Sequence, residues 1–261
     1  MVWHEDGSTQ PAISHDRGRT WRRLNRPRGI SDFFELDFVS RRVGFLVDTT
    51  LVNYRRVFVT RNAGRSWRAL PALGANGIGN IAFSDRLNGY VEVDSFVESR
   101  PEMLRTSDGG QSWRPQPVTP GTASDLVAPT PRRAYAYIDE LVATATGGDF
   151  GAASRIVLDA NRRQLRPGGV VTIRGRLRPS VAGARVRVSR RLGTGWQRRE
   201  LRTDGQGRFS SRWRVPHTAA FVAQWTGDGR YRAAGTRELR VTVRPARSNL
   251  DLDRRSRLNP K

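Results

Sequence analysis

Ser14-His15-Asp16-Arg17-Gly18-Arg19-Thr20-Trp21, Thr60-Arg61-Asn62-Ala63-Gly64-Arg65-Ser66-Trp67 and Thr106-Ser107-Asp108-Gly109-Gly110-Gln111-Ser112-Trp113 are one phrase written three times. Trp21 to Trp67 is 46 residues, and Trp67 to Trp113 is 46 again. A fixed period of that size marks stacked supersecondary units, each too small to bury its own apolar face. The chemistry of the phrase is that of a tight turn between two strands. Asp16, Asn62 and Asp108 can fold a side-chain oxygen back onto N–H groups of their own loop. Gly18, Gly64 and Gly110 permit a positive φ that a Cβ would resist. Thr20, Ser66 and Ser112 add a hydroxyl. Trp21, Trp67 and Trp113 then open the next strand with a ring that can cover ~150–250 Å² between units. Every position has a structural task, and none needs a substrate.

The segments between the phrases repeat too. Leu36-Asp37-Phe38 leading to Gly44-Phe45, and Ile81-Ala82-Phe83 leading to Gly89-Tyr90, share apolar alternation, a polar turn and a Gly–aromatic pair. Asp125-Leu126-Val127 through Ala134-Tyr135-Ala136-Tyr137 is a weaker third rendering. Each unit therefore reads as four short strands whose last two are joined by the phrase.

The phrase resembles the Asp box, or BNR repeat, of sialidase-like β-propellers. A degraded fourth copy aligns at Thr144-Ala145-Thr146-Gly147-Gly148-Asp149-Phe150, with Thr146 where the Asp stands and Phe150 near the Trp position. The resemblance implies an incomplete propeller over residues 1–150: the end of one blade before residue 24, full blades over 34–70 and 79–116, and most of another over 124–150. That makes roughly three and a half blades where a closed ring uses ~4–8. Either the ring is open, or preceding sequence is missing, or another chain completes it, and the opening residues point to a truncated start. The Gly-rich run Pro71–Gly79 reads as a linker between blades, because no strand–helix unit follows it as a nucleotide loop requires.

The charge of +22 is unevenly placed. Residues 1–150 hold 19 arginines against 17 acids, whereas residues 151–261 hold 27 basic residues against 7 acids. The surplus belongs to the C-terminal part. The 45 arginines against one lysine also fit a GC-rich genome. Cysteine is absent, which removes disulfides and thiolate metal sites. No window approaches the ~18 apolar residues of a membrane span. Met1–Gly7 has neither a basic nor an apolar leader region, so no signal peptide is expected in this chain.

A second domain is expected over 154–245. Ile173, Gly175 and Leu177 alternate with Arg174, Arg176 and Arg178, and Val186 and Val188 with Arg185 and Arg187. Trp213 and Val215 alternate with Arg212 and Arg214, and Leu239, Val241 and Val243 with Arg240, Thr242 and Arg244. One apolar face per strand is what a sandwich requires, and about seven strands in roughly 90 residues fit an immunoglobulin-like one. Phe221–Ala234, with Trp225, Gly227, Asp228 and Tyr231, resembles the late-strand signature of bacterial Ig-like domains on secreted proteins. Its core is expected to rest on Trp196, Phe209, Trp213, Phe221, Trp225 and Tyr231, and Thr203–Phe209 reads as a hairpin turn. Residues 246–261 read as a disordered basic tail.

Candidate chemistry is sparse. Ser14, His15 and Asp16 carry the residue types of a hydrolase triad, but adjacent strand residues point alternately and the turn explains Ser14 and Asp16. His4, His15 and His217 have no ligand spacing. The sialidase resemblance implies an arginine triad, a Tyr nucleophile with a Glu partner and an Asp acid/base gathered at the propeller axis, with the boxes at the periphery. No Phe/Tyr-Arg-Ile-Pro motif opens the chain, so no catalytic residue, cofactor or metal is assigned. Arg174, Arg176, Arg178, Arg185, Arg187, Arg212 and Arg214 point instead to an anionic partner such as a polysaccharide or cell-wall polymer. Aromatics on the apolar phase argue against nucleic acid. The expectation is an all-β, non-catalytic, extracellular or cell-envelope binding module. The alternatives are a sialidase-type glycoside hydrolase completed by missing sequence, and a propeller that grips a partner protein in assembly.

Overall fold

The computed structural model describes residues 2–3, 9–27, 30, 34–48, 56–71, 73–74, 78–95, 100–116, 125–138, 140–144, 146–193 and 195–244. The protein is all-β, with no helix among the described residues. The expected tail at 246–261 lies outside them.

The N-terminal half is a row of small antiparallel sheets. β1 (Val2–Trp3) pairs with β2 (Thr9–Gln10), and β3 (Ala12–Ile13) with β4 (Arg22–Arg23). β5 (Phe34–Phe38), β6 (Gly44–Asp48), β7 (Val57–Thr60) and β8 (Arg68–Ala69) form a four-stranded meander. β9 (Ile81–Phe83), β10 (Gly89–Ser95), β11 (Arg100–Thr106) and β12 (Arg114–Gln116) form the next. β13 (Asp125–Thr130), β14 (Arg133–Ile138) and β15 (Glu140–Thr144) make a three-stranded sheet. The four-strand unit read from the repeat is complete twice, each time with the box between its third and fourth strands.

Apolar side chains stack these sheets face to face. Phe45, Val47, Val57 and Val59 meet Ile81, Phe83, Val91, Val93, Leu104 and Trp113 in one cluster. The Phe45 and Phe83 rings stack at 3.4 Å, and Trp113 meets Phe83 edge-on at 6.1 Å. Tyr90 and Met103 carry the contact on to Leu126, Ala128 and Ala134. The repeated glycines have a packing cause. Gly44 is the cross-strand partner of Phe38, and a Cβ there would meet the Phe38 ring at 2.8 Å. Phe83 covers Gly89 in the same way. Carboxylates close the joint between neighbouring sheets: Ile81 N–H donates to Glu35 at 3.1 Å and Phe83 N–H to Asp37 at 2.6 Å.

Trp113 fulfils the expected wedge role and is 2% exposed. Trp67 packs with Leu46 and Phe58 and donates its indole N–H to Asn25 O at 2.7 Å, tying its sheet to the preceding one. Trp21 departs from the expectation. It is 55% exposed and donates only to Gly18 O, at 3.0 Å in its own turn, because no described sheet packs over that side.

Residues 155–243 form two sheets over one core. β16 (Arg155–Ala160), β18 (Gly169–Arg178) and β21 (Arg208–Val215) make the first. The second runs β17 (Gln164–Leu165), β24 (Leu239–Val243), β22 (Ala219–Trp225), β19 (Arg185–Leu192), β20 (Gly195–Arg202), with β23 (Ala234–Gly235) paired to β22. Ile173, Leu177 and Trp213 of the first face meet Val186, Val188, Phe221 and Val241 of the second. Of the expected core aromatics, Phe209, Trp213, Phe221 and Trp225 are buried, while Trp196 and Tyr231 are half-buried. The turn Thr203–Phe209 corrects a sequence reading. It is locally tight, with the Asp204 carboxylate accepting Gln206 N–H and Arg208 N–H, yet it joins no hairpin. β20 pairs with β19 and β21 with β18, so the turn carries the chain from one sheet to the other. Both strands have an apolar face to bury, and crossing the core lets those faces meet.

The second unit rests on the row through the outer side of its larger sheet. Gln224 donates to Leu73 O at 3.0 Å and Trp113 O at 3.3 Å. Arg198 Nε donates to Gly74 O at 3.2 Å, and Gly74, at φ +80°, lies against Val222 and Gln224. Arg187 forks onto Glu102 with two bonds of 2.5 Å. Asp149 receives Arg105 at 2.6 Å, Arg114 at 2.7 Å and Arg232 at 3.5 Å.

Two stability measurements test this account. Trp113→Ala is expected to cost about 3–5 kcal/mol in urea unfolding, as a large ring lost from a packed core. Glu102→Ala leaves the Arg187 guanidinium without its carboxylate in a mostly buried joint, and is expected to cost about 3 kcal/mol or more. A loss under about 1 kcal/mol in either variant contradicts the assigned role.

A candidate anion-binding face

The box residues are drawn into their own turns. Ser14 Oγ accepts Gly18 N–H at 2.7 Å and donates to Asp16 at 2.8 Å. Asp16 in turn accepts Thr20 N–H at 2.8 Å and the Thr20 hydroxyl at 2.6 Å. Thr106, Asp108, Gly110 and Ser112 repeat the network with bonds of 2.8–2.9 Å. In the second copy Thr60 serves Gly64 and Asn62 likewise, but the Asn62 amide donates to the Ser66 hydroxyl at 2.8 Å, reversing that bond. The degraded copy keeps one element, Gly148 N–H to Thr144 Oγ1 at 2.8 Å. Two residues in each turn take a positive φ, including the non-glycines Arg17 and Ala63, which the sequence reading did not foresee. Ser14 and Asp16 do touch, as box partners, while His15 is exposed.

The arginines separate into two groups. β16, β18 and β21 present Arg155, Val157 and Asp159, then Val170, Thr172, Arg174, Arg176 and Arg178, then Arg208, Ser210, Arg212 and Arg214 on the side away from the core. Cross-strand register sets Arg155 opposite Arg178 and Arg176 opposite Arg208. Like charges directly opposite one another destabilise a sheet. Asp159, opposite Arg174, is ion-paired with Arg163 at 3.1 Å. None of Arg155, Arg174, Arg176, Arg178, Arg208, Arg212 and Arg214 forms a salt bridge among the described residues. A cleft of about 690 Å³ opens on this face, lined by Arg174, Arg176, Arg208 and also Arg202 from the other sheet. Planar guanidinium forks at this density suit carboxylate, sulfate or phosphate oxygens, which accept two parallel N–H bonds.

Five of the seven arginines singled out from the sequence therefore share one face: Arg174, Arg176, Arg178, Arg212 and Arg214. Arg185 stands on β19 opposite Arg202, and Arg187 faces Glu102 at the joint between the two units. Arg155 and Arg208 were missed although their strand phase was legible. Arg202 joins only because the Asp204 turn brings the sheets together at their edge.

Three acidic residues of the row, Glu35, Asp37 and Asp16, accept backbone N–H groups at its joints and turns. Burial pushes the Glu35 and Asp37 carboxyls above their ordinary values, against the opposing pull of the N–H bonds from Ile81 and Phe83. Asp16 goes the other way, to about 2, chiefly through the Thr20 hydroxyl and then the Thr20 N–H. Among the described residues no cluster of His, Asp or Glu could hold a metal ion, and no helix is long and apolar enough to cross a membrane.

The opposite shifts give a signed pH test. The box contribution of Asp16 is present above pH 3.8 and is lost as pH falls through about 2. The contribution of Glu35 and Asp37 is present below their unfolded values and is lost as pH rises through their raised folded ones. A carboxyl NMR titration is expected to place Asp16 near 2, and Thr20→Ala to bring it back towards 3.8. An Asp16 that titrates at the ordinary value contradicts the network.

Neither a family model nor a curated protein matches this chain.

Proposed function

We propose that this chain is a non-catalytic binding module of the cell envelope or extracellular space, whose arginine face engages an anionic polysaccharide or cell-wall polymer. In this reading the stacked N-terminal sheets are blades of an incomplete sialidase-like propeller, and the two-sheet unit is an Ig-like sandwich. The shared box network of Ser14, Thr60 and Thr106 supports the first assignment, and a single core between two sheets supports the second.

One observation carries the function: Arg155–Arg178 and Arg176–Arg208 face each other directly, with too few carboxylates to balance them. Such repulsion is relieved when a polyanion supplies the missing charge and releases its counterions. Among the described residues the outward positions of β16, β18 and β21 carry no aromatic side chain, and Phe209, which borders the cleft, is buried in the core, so no exposed ring offers itself to stacked bases, which favours a sugar polymer over single-stranded nucleic acid. The opposite side of the unit is occupied by the joint with the row, so the row orients the arginine face outward.

Heparin is a suitable probe. The unmodified chain is expected to bind it with a steep loss of affinity in salt. Replacing Arg174, Arg176 and Arg208 together with Ser is expected to lower the slope of log K against log salt by roughly one per arginine removed. An unchanged slope in a folded variant rejects this face as the binding surface.

A further inference from the structure

Cross-strand register aligns the last three sheets of the row position by position. Asp37, Phe45 and Val59 stand side by side on β5, β6 and β7. Ala82, Tyr90 and Arg105 take the same places on β9, β10 and β11, and Val127, Tyr135 and Ala143 on β13, β14 and β15. Two residues further along, the same face carries Glu35, Val47 and Val57, then Glu92 and Met103, then Asp125, Tyr137 and Leu141. In the first of these sheets the face is buried under the next one, through Phe45, Val47, Val57 and Val59. In the second, Tyr90 and Met103 are buried under β13–β15. In the third the equivalent face is open: Val127 is 56%, Tyr137 50% and Leu141 69% exposed.

The box turns show the other half of the same joint. Each later turn rests on the end of the sheet before it. A Cβ on Gly64 would meet Leu24 at 2.8 Å, one on Gly110 would meet Leu70 at 2.5 Å, and one on Gly148 would strike the Gln116 side chain. Leu24, Leu70 and Gln116 are themselves spaced by 46 residues. The first turn has no such seat among the described residues. A Cβ on Gly18 would meet only the ring of its own Trp21, and that ring is exposed. The row thus has an uncovered receiving face at β13–β15 and an uncovered box sheet at β3–β4. Both are exposed, so they do not meet within one chain.

We propose that the open face of β13–β15 receives the β3–β4 box sheet of a second copy of this chain, with Trp21 of one copy lying on Val127, Tyr137 and Leu141 of the other. The contact continues the joint that the row already makes with itself, where each sheet covers the face of the one before. Contiguous exposed apolar side chains of this kind mark an interaction surface, and a tryptophan ring can cover about 150–250 Å² of it. Charge agrees with the pairing. Asp125 is the one charged side chain among the six on the open face, whereas Arg17 and Arg19 of the first box turn are exposed. Two different surfaces meet, so each copy gives one end and receives at the other. The contact does not involve the arginine face and stands whether or not that face binds a polymer.

Sedimentation equilibrium of the full chain tests this. In about 1 M NaCl, screening within ~3 Å suppresses both repulsion between chains of charge +22 and bridging by stray polyanions. The mass is expected to rise with concentration above the 29.3 kDa of one copy. Trp21→Ala and Leu141→Lys each change an exposed side chain, and each is expected to weaken self-association at least about tenfold. An equimolar mixture of the two variants is expected to form one-to-one pairs, because each retains the end that the other has lost. Should Leu141→Lys fail to fold, Val127→Lys places a charge on the same patch and takes its part in the mixture. A chain that stays single up to about 1 mM overturns the proposal. So do folded variants that associate as the unmodified chain does. A mixture that stays single overturns it as well, since that is the result of two like faces meeting.

Discussion

In each box a hydroxyl sits between a carboxylate or amide and a glycine N–H, and the order of the N-terminal row follows from that triangle. Ser14, Thr60 and Thr106 each accept the N–H of the glycine four residues on and donate to the residue two on. The turn can then close only with two successive positive φ angles, which sets the direction in which the following strand leaves. Trp113 opens that strand, so the turn's geometry places the ring in the junction with the neighbouring sheet. Asn62 shows which part of the network is indispensable to the shape. Reversing one bond to Ser66 leaves the others intact, so an oxygen acceptor at this position is required and a negative charge is not.

The same arginine-alternating strand pattern has two different outcomes in the second unit. Arg187 lies on the outer side of the sheet that meets the row, and its charge is neutralised by Glu102. Arg174 and Arg176 lie on the outer side of the opposite sheet and face solvent around an open cleft. Gln224 and Gly74 show how closely the first side is fitted, with backbone carbonyls of the row taking the side-chain donors of the sheet. A two-sheet unit has only two outer sides, so docking one of them commits the other to solvent. Arginine is tolerated there because its guanidinium remains hydrated, and few carboxylates accompany it.

Repetition with loss gives the row its second kind of feature. The first complete junction is filled by Phe45, Phe83 and Trp113. The next uses Tyr90 and Met103 against alanines and ends at a box that has lost its tryptophan. Asp149 of that segment, at the position of Gln111 rather than of Asp108, binds Arg105, Arg114 and Arg232. An ion cluster thus stands at the point where the chain leaves the row for the second unit.

Local chemistry was legible in the amino-acid sequence because it acts within a few residues. The box turns, the four-strand period of 34–69 and 81–116, and the inward phase of Ile173, Leu177, Trp213 and Val215 all follow from hydrogen-bonding reach, from φ preference and from the two-residue period of a strand. What those features meet was not legible, since it depends on which strands pair. Thr203–Phe209 has the residues of a hairpin turn, but the apolar faces of β20 and β21 send it between sheets. Trp21 carries the same motif as Trp113 and remains exposed for want of a neighbouring sheet. Cross-strand register alone set Arg208 opposite Arg176, and docking alone turned Arg187 towards Glu102. Charge and packing act through space, so the sequence by itself determined the units and their turns, while the tertiary structure decided which arginines are paired at the joint and which face solvent.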